Sequence, residues 1–475
     1  MNQDSLSSHH QETMHADNLP QDMPPTMHQK TASETLYLLL ISSVAALGGL
    51  LFGYDTAVIS GAIGLLQSHF SLSPVAVGWA ASSALAGCVL GTGVAGLGGD
   101  RLGRHRLLQI SASCFLISAV GTAVAPSIAW FIAFRIVGGV GIGAASIASP
   151  LYISEISPKR WRGRLVSLNQ LAIVIGILSI YAVNYRIHLY GSALWNETTG
   201  WRWMFASGIF PSLLLLGLLF FVPETARFLL MHGRRAEADE VSRRTGSELL
   251  EDILEQPIRA QASQEKLSKV LWIGIVLAVL QQVTGINVFL YYAPEIFKHL
   301  SRSGDVAMLE TIFVGIVNLL FTVIAMFLVD KAGRKPLLIG GSLGMGICLS
   351  AMGFAAMRSD TGAWLLAFVL GYIACFAISV GPVTWIVLSE IFPAHHRARA
   401  MAVATATLWL ANFVVSQTFP VLDQNPTLIQ HFGHGFPFFL YASFCLLEIG
   451  FVARFLPETK NRSLEEISSW WSAKP

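Results

Sequence analysis

The chain has 475 residues, of which 53% are hydrophobic and 13% are charged, and its formal net charge is +2. Soluble domains carry about 25% charged residues, so a composition with about half that fraction excludes an ordinary soluble protein. The mean hydropathy of +0.57 and the apolar blocks of about 20 residues are typical of a membrane protein with many spans.

Residues 1–33 are rich in Gln, His, Pro and Ser and lack the apolar core of a signal peptide. We expect a disordered tail there, then an N-terminal half (34–222), a polar helical linker (223–267), a C-terminal half (268–456) and a short tail (457–475). Twelve apolar spans fill the two halves. They are 36–63, 75–98, 107–124, 128–150, 164–188, 203–222, 268–297, 309–329, 337–357, 362–388, 400–422 and 436–456.

The loops between these spans differ in charge. If the N-terminus is cytoplasmic, 25 of the 31 Lys and Arg residues fall on the cytoplasmic side and five fall outside, with Arg135 left within a span. Cytoplasmic loops carry an excess of Lys and Arg. The sequence therefore predicts that both termini are cytoplasmic.

An internal repeat relates the halves at offsets of 230 to 235 residues. The matching pairs are Asp100–Arg104 with Asp330–Arg334, Ser154–Ile156 with Ser389–Ile391, Pro223–Thr225 with Pro457–Thr459, and Gly53–Asp55 with Gly285–Asn287. Six spans per half give both halves the same orientation, and substrates of such proteins bind between the halves near the midplane. We expect an all-α membrane protein of two pseudo-symmetric six-helix halves, with Asp55 and Asn287 at equivalent positions facing that interface.

Asp55 is the only ionisable side chain of the first span apart from two tyrosines. A charge near the bilayer centre costs about 2.5–3.5 kcal/mol on insertion scales. Arg135 is the only basic residue inside the fourth span, so the two residues form a candidate buried pair. Either the pair fixes helix packing, or Asp55 carries a proton that it gains and loses as a cavity opens.

Further charged residues cluster at the predicted cytoplasmic ends of the spans. They can form ion-pair networks that link the halves when the cytoplasmic side is shut, or they only hold positive charge inside. These candidate gating residues are Asp100, Arg101, Arg104, Glu155, Arg162, Glu224, Asp330, Arg334, Glu390, Arg397 and Glu458.

Motifs along nearly the whole chain resemble the sugar porter family of the major facilitator superfamily, and in particular bacterial proton-linked xylose symporters and their hexose relatives. The resemblance lies in Gly53–Thr56, Asp100–Arg106, Arg135–Gly139, Ser154–Ile156, Pro223–Thr225, Gln281–Asn287, Gly381–Trp385 and Pro457–Lys460. One departure is His105, where the family usually has Arg or Lys. The resemblance implies the major facilitator fold and a sugar transporter that works by alternating access.

The resemblance also implies which residues contact sugar. They are Phe52, Gln170, Gln281, Gln282, Asn287, Tyr291, Asn318, Gly381, Trp385 and Trp409. Amides offer a donor and an acceptor to vicinal hydroxyls, and sugar C–H faces pack on aromatic rings. In a straight helix Gln282 and Asn287 lie about 140° apart, so they share a site only if the span bends, for which Gly285 and Pro294 provide the means.

Two departures bear on the sugar. Ile177 and Leu408 stand where the xylose symporter pattern has glutamines, and an apolar residue at position 177 resembles glucose transporters. We therefore favour glucose or another hexose, with xylose still open. A uniporter and a non-transporting sugar sensor remain alternatives, although sensors of this family carry long tails.

No Walker motif, metal-ligand cluster or nucleophile–base pair indicates an enzyme. We expect no cofactor, no metal and no nucleic-acid partner. The expected partners are a monosaccharide, a proton and the lipid bilayer. A monomer in a bacterial inner membrane is the default, because one chain holds both halves.

Overall fold

The structure, a computed structural model, describes residues 32–247, 264–300, 304–358, 364–392 and 397–460. These ranges consist of helices and short connections. The predicted N-terminal tail therefore lies outside the described residues up to position 31, as do 248–263 of the predicted linker and 461–475 of the predicted C-terminal tail.

The N-terminal half contains the first six spans. Its helices are α1 (Ala32–Ala57), α2 (Ile59–Phe70), α3 (Pro74–Leu102), α4 (Arg104–Ala123), α5 (Ile128–Ile156), α6 (Lys159–Tyr190), α7 (Ala193–Trp195), a π-helical turn (Asn196–Gly200), α8 (Trp201–Ala206) and α9 (Ile209–Leu219). Two short helices follow in the predicted linker, α10 (Ala226–Met231) and α11 (Arg235–Thr245).

The C-terminal half repeats this arrangement. Its helices are α12 (Gln264–Val283), α13 (Ile286–Tyr291), α14 (Ala293–Leu300), α15 (Gly304–Ala332), α16 (Arg334–Met357), α17 (Trp364–Ile378), α18 (Val380–Ile391), α19 (Arg397–Asp423), α20 (Pro426–Phe432), a 3₁₀ turn (Gly433–Gly435) and α21 (Phe436–Phe455).

Twelve stretches within the described ranges are long and apolar enough to cross a membrane. This confirms the predicted all-α architecture of twelve transmembrane helices. The first runs from Glu34 to Phe70 and the last from Pro426 to Phe455, so both extend beyond the predicted limits. Twelve crossings return the chain to the side where it began. We call that side, where Ala32 and Lys460 lie, the terminal side, and the other the far side.

Close backbone contact between α3 and α5 positions the fourth span. Gly87 and Gly91 of α3 lie against α5, and Gly139 and Gly143 of α5 lie against α3. A Cβ atom at Gly139 would stand 2.9 Å from the Cα of Gly87. Small residues let membrane helices approach in this way. The contact fixes the height and rotation of Arg135, which lies one turn before Gly139.

The two halves pack through α3 against α19 and through α6 against α15. Toward the far side, the Ser82 hydroxyl donates to the Gln417 side chain at 2.9 Å, and the Tyr181 hydroxyl donates to the Leu290 carbonyl at 2.8 Å. The end of the first span, α2, also packs against α13 and α14. The halves are therefore held together at the far side.

Candidate functional site

The predicted pair of Asp55 and Arg135 is formed. Nη1 of Arg135 donates to Oδ2 of Asp55 at 3.0 Å and to the Asp55 backbone carbonyl at 2.9 Å. The Arg135 side chain is 1% exposed and that of Asp55 is 13% exposed. Arg135 also lies over the Phe205 ring, 5.7 Å from its centroid. Two charges buried this deeply are stable together because each compensates the other.

A small cavity of about 10 Å³ adjoins Asp55. That is about the volume that one water molecule needs. Tyr54, Ser212 and Phe205 are among its lining residues, and the Tyr54 hydroxyl is hydrogen-bonded to the Ser207 hydroxyl at 2.8 Å. Asp55 therefore adjoins a small and mostly apolar space, lined by residues of its own half, besides its contact with Arg135.

The seventh span is broken at Gly285, one of the two residues at which its sequence allows a bend. Helix α12 ends at Val283, Gly285 adopts a left-handed φ of +91°, and α13 begins at Ile286. This φ is readily accessible only to glycine. The break brings Gln282 and Asn287 together, and Nδ2 of Asn287 donates to Oε1 of Gln282 at 2.5 Å. Gln282 and Asn287, which a straight helix would place about 140° apart, therefore lie in direct contact.

The neighbouring amide extends this group into the tenth span. Nε2 of Gln281 donates to the carbonyls of Val380 and Gly381 at 3.2 and 3.0 Å. Nε2 of Gln282 lies 3.4 Å from Oε1 of Gln281. Gln281, Gln282 and Asn287 thus form one amide chain, and Gly381 supplies an acceptor to it through its backbone.

Aromatic side chains from both halves meet where the first span contacts the eleventh. Phe52 of the first span and Trp409 of the eleventh have ring centroids 5.4 Å apart in an edge-to-face arrangement. Trp409 is buried, and its indole N–H has no hydrogen-bond partner among the described residues. Buried donors are normally paired, so this N–H is available to a ligand.

Tyr291 lies four residues after Asn287 on α13 and near the charged pair. Its buried hydroxyl accepts a 3.5 Å hydrogen bond from Nδ2 of Asn412. The same hydroxyl lies within electrostatic range of Asp55 and Arg135. The helix that carries Tyr291, α13, packs against α1 and α2 of the first span.

For three of the predicted sugar contacts, the structure gives the helix and the burial but no bond to the amide chain. Gln170 is half-buried on α6, Asn318 is buried on α15 and Trp385 is half-buried on α18. The interface of α6 and α15 brings Gly315 against Leu178, which places Asn318 one turn from a contact between the halves. No hydrogen bond among the described residues joins Gln170, Asn318 or Trp385 to the amide chain, so their role stays a prediction.

The charged residues at the terminal side of the N-terminal half form one network. Arg104 pairs with Asp100 at 2.9 Å and with Glu155 at 3.1 Å. The other oxygen of Glu155 accepts from the Thr225 hydroxyl at 2.7 Å. Glu224 accepts from the backbone N–H groups of Arg104 and His105, so it caps the start of α4. Nε2 of His105 lies 2.7 Å from the Leu219 carbonyl, so this departure from the family pattern still makes a contact.

The C-terminal half repeats this network at the equivalent positions. Arg334 pairs with Glu390 at 2.9 Å and with Asp330 at 3.3 Å. Glu458 accepts from the backbone N–H groups of Arg334 and Lys335, both at 3.0 Å, and from that of Lys460 at 2.9 Å. Burial raises the pKa of Glu458, but these donors and the charge of Arg334 outweigh burial and hold the pKa below its usual value.

Each network lies within one half, and among the described residues neither joins the two halves. The Arg101 and Arg162 side chains are exposed and stand apart from the two networks. Arg397 begins α19, and its side chain lies outside the part that the structure describes. The ion pairs of Arg104 and Arg334 thus brace each half, and a link between the halves stays a prediction for the state closed at the terminal side.

Sequence reasoning missed several polar residues of the membrane interior, among them Asn412 and Glu448. Asn412 lies on α19 one turn after Trp409 and contacts Tyr291. Glu448 is fully buried on α21. Each interrupts an apolar run, which is the signal that identified Asp55. Glu448 was overlooked because the internal repeat gives it no partner.

The comparisons with known proteins agree with this geometry. A family model described as "Sugar (and other) transporter" matches residues 41–471. The D-xylose-proton symporter of Escherichia coli K12 is 43% identical over 93% of this chain and 97% of its own length. The arabinose-proton symporter of Bacillus subtilis is 40% identical over 96% and 99%, and the glucose facilitated diffusion protein of Zymomonas mobilis is 39% identical over 91% and 97%.

A solved structure has the same fold. It is that of the major facilitator superfamily proton:xylose symporter XylE bound to 6-bromo-6-deoxy-D-glucose. It matches with a TM-score of 0.79 and 43% identity, and the match covers 92% of this chain and all of that one. Twelve spans, two equivalent networks and a broken seventh span thus occur in a chain that is similar to known transporters over more than 90% of its length. The chain belongs to the sugar transporter family of the major facilitator superfamily.

Proposed function

We propose that this protein moves a monosaccharide across the membrane together with a proton by alternating access. The observation that carries the proposal is the placement of Tyr291. Its hydroxyl lies within electrostatic range of Asp55 and Arg135, and its helix begins at the break that assembles Gln282 and Asn287. A proton site and a sugar site therefore share one element.

The coupling follows from the charges. With Asp55 ionised, its contact with Arg135 holds α1 against α5. Protonation removes one charge of the pair and weakens this contact, which frees α1 to move relative to α5. Because α13 packs on α1 and α2, sugar bound at the amide chain responds to that movement. A membrane potential of 100 mV supplies about 2.3 kcal/mol per proton, which is about 50-fold accumulation.

The substrate class follows from the amides and aromatic rings. Gln281, Gln282 and Asn287 offer donors and acceptors to hydroxyls, and Phe52 and Trp409 offer apolar faces. Ile177 and Leu408 are buried and add no polar group. A site without those two amides lacks partners for particular hydroxyls, which favours glucose or another hexose over xylose.

The membrane placement rests on charge. The Lys and Arg residues are concentrated on the terminal side, and the positive-inside rule makes this side cytoplasmic. The relatives reported above come from bacteria, which supports a bacterial inner membrane. The halves are joined at the far side, so this conformation would be closed to the outside. A monomer suffices, because one chain supplies both halves of the site.

The test is sugar uptake into proteoliposomes with and without an imposed proton gradient. The wild type should accumulate glucose only with the gradient. Asp55→Asn should lose accumulation and keep counterflow, since the amide chain is intact. Asp239→Asn, the same chemical change on the exposed face of α11, is the matched control and should accumulate sugar like the wild type.

A proton-independent facilitator is the second candidate, and one observation favours it. A relative named as a glucose facilitated diffusion protein is 39% identical, close to the figures for the two symporters. If the gradient changes neither wild-type nor Asp55→Asn uptake, the protein is a facilitator and the pair of Asp55 and Arg135 is structural. If no common monosaccharide gives counterflow, both the symporter and the facilitator proposals are wrong, and a sugar sensor is favoured.

A further inference from the structure

The buried carboxyl of Glu448 has no place in the transport site described above. It lies on α21, the twelfth span, and is 0% exposed. Oε2 accepts a 3.0 Å hydrogen bond from the Ser342 hydroxyl of α16, the ninth span. Oε1 is buried and has no partner among the described residues. The carboxyl thus lies inside a helix–helix contact of the C-terminal half, away from the interface of the halves.

The packed neighbours of Glu448 provide no compensating positive charge. On α16, Arg334 pairs with Glu390 and Asp330, and Lys335 donates to the Ala453 carbonyl at the terminal side. No positive side chain of the described ranges lies within electrostatic range of Glu448.

The other elements packed against α21 also offer no free positive charge to Glu448 among their described residues. On α12, Lys269 is exposed; on α19, Arg399 is exposed and Asp423 pairs with His434 of the 3₁₀ turn at the far side. His431 of α20 is also exposed at that side. The groups that do lie near Glu448 are Cys445 of its own helix and Tyr372 of α17.

A bare carboxylate in this place would be costly. An isolated ionised group in an apolar interior costs far more than an unpaired neutral polar group. One hydroxyl donor from Ser342 does not compensate for that cost, in contrast with Asp55, which has the guanidinium of Arg135. The geometry therefore requires a proton on Glu448 while α16 and α21 are packed as they are here.

Glu448 is also near the break of the seventh span. Tyr372, which lies within electrostatic range of Glu448, donates its hydroxyl to the Thr284 carbonyl at 2.9 Å, immediately before Gly285. Tyr441, two turns before Glu448 on α21, packs its ring against Gly285. A change in the seating of α21 would therefore act on the break that assembles the amide chain.

We propose that Glu448 is a second proton-binding carboxyl of this protein, protonated while the ninth and twelfth spans are packed, and that its ionisation loosens their contact. This proposal goes beyond sugar–proton symport and does not depend on it. It makes the contact of α16 and α21 pH-sensitive at a site separate from Asp55.

Infrared difference spectroscopy of the purified full-length protein, titrated with acid and base without sugar, tests the proton. The wild type should show a carbonyl band of a protonated carboxylic acid that disappears on alkalinisation. Glu448→Gln should lose this band. Asp55→Asn should keep it, and so should Glu237→Gln, which alters an exposed carboxylate. An unchanged acid band in Glu448→Gln would overturn the proposal.

Thermal unfolding across the same pH range tests the contact. The melting temperature of the wild type should fall relative to Glu448→Gln as the pH rises, because only the wild type must bury a charge. A constant difference would overturn the proposal. Should Glu448→Gln fail to fold, Ser342→Ala replaces it: losing the donor should shift the acid band, and an unshifted band would again overturn the proposal.

Discussion

Replacing Gly285 with alanine tests the structural basis of the candidate sugar site. Gly285 has a φ of +91°, and an added Cβ would stand 2.5 Å from Cδ2 of Tyr441. A left-handed conformation costs a residue with a side chain about 1–2 kcal/mol. Displacing a well-packed ring adds about 1–3 kcal/mol. Gly285→Ala should therefore lower the free energy of unfolding by about 2–5 kcal/mol.

The same change should weaken sugar binding. The left-handed turn brings Asn287 within 2.5 Å of Gln282, and relaxing the turn moves the two amides apart. If sugar loses two hydrogen bonds, each contributing about 0.5–1.5 kcal/mol, the loss is about 1–3 kcal/mol. This corresponds to an affinity about 5- to 150-fold weaker.

Tryptophan fluorescence titration with glucose and thermal unfolding in detergent measure the two effects. Gly340→Ala is the matched control, because Gly340 lies inside α16 with nothing within 4 Å of an added Cβ. There alanine should leave the affinity unchanged and raise stability by about 0.5–1 kcal/mol. Wild-type affinity and stability in Gly285→Ala would refute the reasoning that the left-handed glycine assembles the site.

Two further predictions concern the sugar and the terminal-side networks. Ile177→Gln with Leu408→Gln should raise the preference for xylose over glucose in competitive counterflow by about 2- to 13-fold per hydrogen bond gained; an unchanged preference would show that these positions do not select the sugar. The pKa of Glu458 is lowered in the folded protein. The stabilisation that its ionised carboxylate gives the fold is therefore fully present above the pKa of an unfolded glutamate, which is about 4.3. It is lost as the pH falls through the folded pKa. The melting temperatures of wild type and Glu458→Gln should therefore converge between pH 7 and pH 3, and a constant gap would count against the capping role of Glu458.

The sequence predicted those parts of the molecule that depend on a strong local signal. Long apolar runs determine the spans, because a helix must satisfy its own backbone groups in a bilayer. Asp55 and Arg135 could be paired from sequence, since each is the lone charge of its sign inside its span and neither is stable alone. The angular separation of Gln282 and Asn287 showed that they share a site only if the span bends, with Gly285 and Pro294 as the residues that allow a bend.

Other features depend on packing that no local pattern encodes. The partner of Gln281 is a pair of backbone carbonyls, at Val380 and Gly381, and a backbone acceptor leaves no trace in residue type. The cap that Glu224 places on α4 joins residues about 120 positions apart. Neither the carbonyl partners nor the cap could be assigned without coordinates.

The equivalent glycines Gly53 and Gly285 show why a repeat alone does not determine function. Gly53 stays helical, and its missing Cβ allows the Ile173 carbonyl of α6 to approach, so the first span continues through Asp55. Gly285 instead takes the left-handed conformation and breaks the seventh span before Asn287. In the N-terminal half the continuous helix presents Asp55 to Arg135, while the offset of 235 places the apolar Leu370 at the corresponding position of the other half. Without a buried cation, the C-terminal position is stable with an uncharged amide, and the broken helix turns that amide toward Gln282. One pair of equivalent positions thus carries a buried carboxyl paired with Arg135 in one half and an amide bonded to Gln282 in the other, which is the division of roles that the proposed symport requires.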